Sequence, residues 1–142
     1  MTWSTEDGVP FEPDEEFLKD LVGFVYCITE LDTGKKYIGK KLFWKPKTLP
    51  VTKTRKRKIK TRVPSDWMKY YGSSVALKEN VSIKGHEAYH RVILKLCKTK
   101  GECSYYEAKL QFEYDVLLSD IYYNEFIGCK IHAKHLPDNK SK

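Results

Sequence analysis

The stretch Gly23-Phe24-Val25-Tyr26-Cys27-Ile28-Thr29-Glu30, then Leu31-Asp32-Thr33-Gly34, then Lys35-Lys36-Tyr37-Ile38-Gly39-Lys40, decides the fold. Residues 22–30 are apolar on both alternating sets, with Phe24, Tyr26 and Ile28 on one face and Val25 and Cys27 on the other. That pattern predicts a strand covered on both sides. Leu31 to Gly34 supply turn chemistry, so residues 35–41 read as the return strand of an antiparallel hairpin. With the loop at 31–34, Glu30 faces Lys35, Ile28 faces Tyr37 and Tyr26 faces Gly39. Tyr26 and Tyr37 then share a face as diagonal neighbours, and a one-residue slip would separate them.

Downstream, His90-Arg91-Val92-Ile93-Leu94-Lys95-Leu96 predicts a third strand over 90–96, with Val92, Leu94 and Leu96 apolar. Residues 104–118 predict the strongest helix. Pro13 to Leu18 read as a helix start with acids in the first turn. Pro64-Ser65-Asp66 can open a short helix, and Ser73 or Ser74 can cap another that Gly85 ends. The expected architecture is α+β, a small and mainly antiparallel three-stranded sheet flanked by helices. Three segments follow: an acidic one with a helix at 1–21, the main domain at 22–126, and a C-terminal segment with a polar tail at 127–142.

The chain has 142 residues and a net charge of +7, unevenly spread. Residues 1–20 carry seven acids and one base, whereas residues 45–62 carry nine bases and no acid. Such a dense cationic stretch inside a domain suits a polyanion. The segment 42–64 has no periodicity and reads as an inserted loop. Its Lys53, Arg55, Lys56, Arg57, Lys58, Lys60 and Arg62, with Lys41 before it and Arg91 later, are candidate nucleic-acid contacts. No apolar run approaches the roughly 18–20 residues of a membrane span, and the acidic start lacks the features of a secretion signal. The four cysteines show no CxxC pairing, which favours reduced, packed thiols in the cytoplasm over a zinc site.

The segments GFVY (23–26) and KYIGK (36–40) resemble the paired tyrosine motifs of the GIY-YIG nucleases. The resemblance extends, over about residues 22–126, to Trp67–Ser74, Tyr106-Glu107-Ala108-Lys109 and Tyr122-Tyr123-Asn124, which look like elements of phage-type members, the Seg-like and homing endonucleases. Phe24-Val25-Tyr26 departs from the usual Gly-Ile-Tyr only in its apolar strand positions. The resemblance implies a metal-dependent DNA endonuclease leaving a 5′-phosphate and a 3′-hydroxyl. It implies one Mg²⁺ or Mn²⁺ on Glu107, Tyr26 as proton acceptor, and Tyr37, Lys40 and Asn124 organising the phosphate site. A hard cation on one carboxylate, keeping several waters, suits that chemistry. A phenol acts as a base near neutral pH only if cations lower its pKa, and Lys40 and Lys41 lie beside the motif. The expected location is cytoplasmic, in a bacterial host if the protein is phage-encoded.

Residues alone leave Glu107 two readings. It stands at the end of an apolar stripe with Leu110, Gln111, Tyr114, Leu117 and Leu118, or Ser104-Tyr105-Tyr106-Glu107 is a capping box. The resemblance favours the metal. The arginine that members carry about ten residues after the second motif has no match at Lys45–Lys47. Lys41, Arg55, Arg57, Arg62 or Arg91 would have to replace it, or the protein would be a non-catalytic nucleic-acid binder. His86-Glu87-Ala88-Tyr89-His90 satisfies HExxH, but a zinc peptidase would need a helix where the third strand begins. Double-strand cutting from a one-metal site would require a homodimer or two visits, with specificity from the basic insertion, a dimer, or neither.

Overall fold

In the computed structural model, which describes residues 2–128, an α+β arrangement forms around a mixed four-stranded sheet. The elements are β1 (Ser4–Thr5), α1 (Glu15–Leu18), β2 (Gly23–Glu30), β3 (Lys36–Leu42), β4 (Trp44–Leu49), β5 (Ile59–Pro64), α2 (Val75–Lys84), β6 (Tyr89–Cys97) and α3 (Lys100–Glu113). Short 3₁₀ turns occupy Trp67–Lys69 and His86–Ala88. The sheet order is β1-β6-β2-β3, with β1 parallel to β6 and the other pairs antiparallel.

The hairpin register is the expected one: Tyr26 opposes Gly39, and Ile28 opposes Tyr37. The two apolar sets of β2 separate two cores. Phe24, Tyr26 and Ile28 pack with Trp3, Phe43, Trp67, Leu77 and Val81 on the α2 side. Val25 packs with Ile38, Cys97, Cys103 and Val116 on the α3 side. A bulge lies between Val25 and Tyr26, whose partners on β6 are Lys95 and Ile93.

The sheet has four strands rather than three. Ser4 and Thr5 pair with Val92 and Ile93, and buried Trp3 donates its indole N–H to the Trp67 carbonyl at 2.8 Å. The acidic start therefore builds one sheet edge. The expected loop is in part a second, two-stranded sheet: β4 and β5 pair, and residues 50–58 are the loop between them. These strands hide little apolar surface, so no period-2 signal arises, and cross-strand pairing holds them instead.

Helix boundaries follow their caps. Asp14 accepts from the Phe17 N–H at α1, and Ser74 accepts from the Leu77 N–H at α2, which ends at Gly85 with φ 89°. Helix α3 starts at Lys100 instead of 104, because Thr99 is its cap and accepts from the Glu102 N–H at 3.0 Å. Its last turn gives way at Asp115, whose φ of 50° leaves the helical region. Among the described residues no helix is long and apolar enough to cross a membrane. The expected polar tail and Cys129 lie outside the described residues.

Candidate active site

Strand β3 is an edge of the main sheet, and the candidate groups meet around that edge from both faces. On the α2 side, the Tyr26 and Tyr37 rings lie 6.2 Å apart, with Tyr70 6.0 Å from Tyr26. Tyr26 is fully buried, whereas Tyr37 reaches the surface and shares a 2.7 Å hydrogen bond with Ser73 Oγ. Gly39 sits between them. A Cβ there would stand 2.6 Å from Tyr26 Oη and 2.8 Å from Tyr37 Cε2, so close approach demands glycine.

On the other face, Lys40 donates to Ser104 Oγ at 2.6 Å, one turn of α3 before Glu107. Glu107 is half-buried. Burial raises its carboxyl above the usual range, against the opposing influence of the Lys40 ammonium and of the Lys40 backbone N–H. The capping-box reading of Glu107 fails, because Thr99 and Glu102 fill that role and Glu102 accepts from the Lys98 N–H at 2.7 Å. Glu107 is left free of capping, eight residues into the helix that starts at Lys100.

Asn124 is buried and does not project into solvent. It clamps the edge, accepting from the Ile38 N–H at 3.1 Å and donating to the Ile38 carbonyl at 2.7 Å. Gln111 donates to the same carbonyl at 2.9 Å. Sequence reasoning placed Gln111 on the Glu107 side of the helix without giving it work. Its polarity within an apolar stripe, one turn after Glu107, was the available signal. Tyr37, Ser73, Glu107, Gln111, Asn124 and Glu125 share the walls of one cavity of about 420 Å³.

Several expected partners stand elsewhere. Arg91, expected on nucleic acid, is 2 % exposed. Its guanidinium donates to the Met68 and Tyr70 carbonyls and lies over the Trp3 and Tyr71 rings at 4.5 and 4.2 Å. It is a core element, since an aromatic sandwich and two carbonyls satisfy a charge that water cannot reach. Arg62 stacks on Trp44 at 4.1 Å and donates to the Lys19 carbonyl, and Arg55 donates to the Pro50 carbonyl within the hairpin tip. Lys41 pairs with Asp66 at 2.6 Å above the Tyr70 ring. Lys53, Lys56, Arg57, Lys58 and Lys60 are exposed on the β4–β5 hairpin. None of these cations lines the cavity.

The expected lowering of the motif phenols is reversed. Burial, and then the neighbouring phenols Tyr70 and Tyr37, push Tyr26 well above 10. Burial also raises Tyr37. Lys40 points to the opposite face, and Lys41 is occupied by Asp66. The HExxH segment lacks the helix a zinc peptidase would need. His86 stacks on Tyr71 in a 3₁₀ turn, and His90 is exposed on β6, where the two cannot share a helix face. Among the described residues, no group of three or more His, Cys, Asp or Glu could share a metal ion, and Cys27, Cys97 and Cys103 are free thiols.

The described residues form an α+β domain in which a hairpin bearing two tyrosines packs against a glutamate-bearing helix around a small sheet. The family model for the GIY-YIG domain of segE-type endonucleases (SegE_GIY-YIG) matches residues 3–127. The chain belongs to that GIY-YIG endonuclease family, and its substrate is a nucleic acid. No curated protein and no solved structure matches it.

Proposed function

We propose that the protein is a divalent-metal-dependent endonuclease acting on double-stranded DNA, with Glu107 as the metal-holding residue. One observation carries this reading: the Glu107 carboxylate and Tyr37 face the same cavity from opposite sides of the β3 edge. The side chains offered there are carboxylates, hydroxyls and amides, with no imidazole or thiol among the described residues. That oxygen-donor set fits a hard cation such as Mg²⁺ or Mn²⁺, which needs few protein ligands and keeps its waters. When bound, the ion would polarise the phosphate and neutralise charge on the departing oxygen.

The chain's own residues then divide the work. Tyr37, held by Ser73, orients water or a phosphate oxygen through its neutral hydroxyl. Lys40 faces Glu107 and balances charge. Tyr26, buried and held in its neutral, protonated form, is not available to accept a proton and sets the position of Tyr37 and Gly39. Asn124 and Gln111 hold the strand that carries both. In the hydrolysis, the water oxygen bonds to phosphorus and the P–O3′ bond breaks. One proton ends on the 3′-oxygen, leaving a 3′-hydroxyl and a 5′-phosphate. The exposed hairpin cations hold backbone phosphates, which gives affinity without sequence information.

The test is cleavage of supercoiled plasmid in magnesium by the parent and by Glu107→Gln. The parent should nick or linearise it, and the variant should not. Because burial raises the Glu107 pKa, its ionised form destabilises the fold above the ordinary carboxylate range. The variant should thus unfold at an equal or higher urea concentration at pH 7. Equal cutting by both proteins overturns the Glu107 role. Duplex binding without cutting by either favours the non-catalytic alternative, which the lack of an arginine among the described residues of the cavity lining suits.

A further inference from the structure

Resting on the reading of DNA as substrate, we propose that the β4–β5 hairpin is a groove-reading arm. It would lie as a two-stranded ribbon in the major groove, with its outer face toward the base edges. The pairing register sorts its side chains into two faces. Trp44, Pro46, Thr48, Lys60, Arg62 and Pro64 form the inner face. That face is bolted to the body at its root. Trp44 Nε1 donates to the Leu21 carbonyl at 2.8 Å, Arg62 donates to the Lys19 carbonyl at 2.8 Å, and Arg62 covers the Trp44 ring. Ser65, just beyond β5, donates through its N–H to the Phe43 carbonyl and through its hydroxyl to the Leu42 carbonyl. The arm is therefore aimed by the fold.

The outer face holds Lys45, Lys47, Leu49, Ile59, Thr61 and Val63. A grip on phosphates alone would need only cations. This face mixes two lysines with a threonine and partly exposed aliphatic side chains. Lysine can donate to guanine O6 and N7, and apolar and threonine methyl groups suit the thymine methyl, all of them major-groove features. The major groove, roughly 12 Å wide, admits a two-stranded ribbon, and six residues per strand extend about 20 Å. The tip is ordered as well: Thr52 and Arg55 exchange backbone hydrogen bonds of 2.8 and 3.3 Å. Its Lys53, Lys56, Arg57 and Lys58 would reach phosphates flanking the groove. Pairing of the open strand edges with another chain is opposed by Pro46 and by repulsion between lysines.

The outer face also connects to the cleft. The Tyr37 and Tyr26 rings lead to Tyr70, then to Lys41 above that ring, then to Asp66 paired with Lys41. Lys45, the first outer-face residue, acts electrostatically on the same Asp66 carboxylate. Tyr26 lies buried beneath, and one duplex lying over the accessible members, Tyr37, Tyr70, Lys41 and Asp66, would meet the ribbon at one end and the cavity at the other.

The experiment measures binding of the full chain to a short labelled duplex in EDTA, with methyl green as major-groove competitor and netropsin as minor-groove competitor. Methyl green should weaken binding at least about tenfold and netropsin less than about twofold. The double variant Lys47→Ala/Thr61→Ala should bind about tenfold more weakly, as loss of a good base contact implies, with an unchanged urea midpoint. Binding indifferent to methyl green, absence of duplex binding, or parent-like affinity in the double variant overturns the proposal. Plasmid cleavage in magnesium, run alongside, separates the two readings. A protein that cuts but ignores methyl green loses only the groove assignment. One that is displaced by methyl green but never cuts loses only the nuclease assignment.

Discussion

Gly39→Ala tests whether the motif glycine exists to let the two tyrosines meet. The new methyl would stand 2.6 Å from Tyr26 Oη, 2.9 Å from Tyr26 Cζ and 2.8 Å from Tyr37 Cε2, where ordinary contact begins at 3.4 Å. Roughly 0.8 Å must open at the tightest point, which overpacks the core there. Tyr26 cannot yield that distance, since it is fully buried among Trp3, Phe24 and Tyr70. The displacement passes to Tyr37, which has the exposed end. Overpacking of this kind costs about 1–3 kcal/mol, and a misplacement near 1 Å in a catalytic group costs about 10²-fold in rate. Urea unfolding and single-turnover plasmid nicking read the two effects separately. Adding Tyr26→Phe removes the 2.6 Å contact alone, so it should restore part of the stability and little of the rate. A Gly39→Ala protein with the parent's midpoint and the parent's rate would refute the close-approach argument.

Three further outcomes are expected. Glu30 is 2 % exposed, and although burial opposes its ionisation, hydrogen bonds from Thr33, Tyr89, Lys84 and Tyr123 hold it at about 2. That stabilisation is complete above the ordinary value of 4.5 and is lost as pH falls through about 2, so acid unfolding should show a loss of about 2–3 kcal/mol in that window that Glu30→Gln lacks. Asn124→Ala leaves the Ile38 N–H unpartnered and should lower the urea-derived stability by about 1–3 kcal/mol, with Asn124→Asp restoring the acceptor but not the donor. Arg91→Lys should cost a similar amount by leaving a buried carbonyl short of a donor, and, since Arg91 touches no substrate, the salt dependence of DNA binding should not change.

The parts legible in the sequence are those whose signal is local. The β2–β3 register follows from a short turn and two apolar faces, and α2 is bounded by its own cap residues. The failures are non-local. Two residues of β1 have no periodicity, and they become a strand only because β6 lies beside them. Arg91 was grouped with surface cations because Val92, Leu94 and Leu96 looked like the buried set. In the fold Tyr89, Arg91 and Ile93 are the buried residues, and Arg91 is tolerated because Trp3 and Tyr71, far away in sequence, sandwich it. The Glu30 network likewise draws its donors from four separate segments, so no window of sequence contains it. Glu107 has two readings because one spacing serves both a cap and a site, and the cap reading falls only once Thr99 is seen to cap the helix.

The outward-facing backbone of β3 shows why the site forms where it does. At Lys36 the strand pairs with backbone: its N–H donates to the Ile121 carbonyl, and its carbonyl accepts from the Tyr123 N–H. Two residues on, at Ile38, the partners are the side-chain amides of Asn124 and Gln111. Two further on, at Lys40, the backbone N–H faces the Glu107 carboxylate. With each step of two residues, about 7 Å along the edge, the partner changes from main chain to amide to carboxylate. A full neighbouring strand would satisfy the same groups but would wall off the edge. Replacing it with side chains keeps the polar backbone satisfied and leaves Tyr37, on one face of the sheet, and Glu107, on the other, lining one cavity. By this reasoning Asn124 and Gln111 work as a pair. The double Ala variant should lose more cleavage than either single variant predicts, whereas Tyr37→Phe, which leaves the edge intact, should weaken cleavage without moving the urea midpoint by more than about 1 kcal/mol.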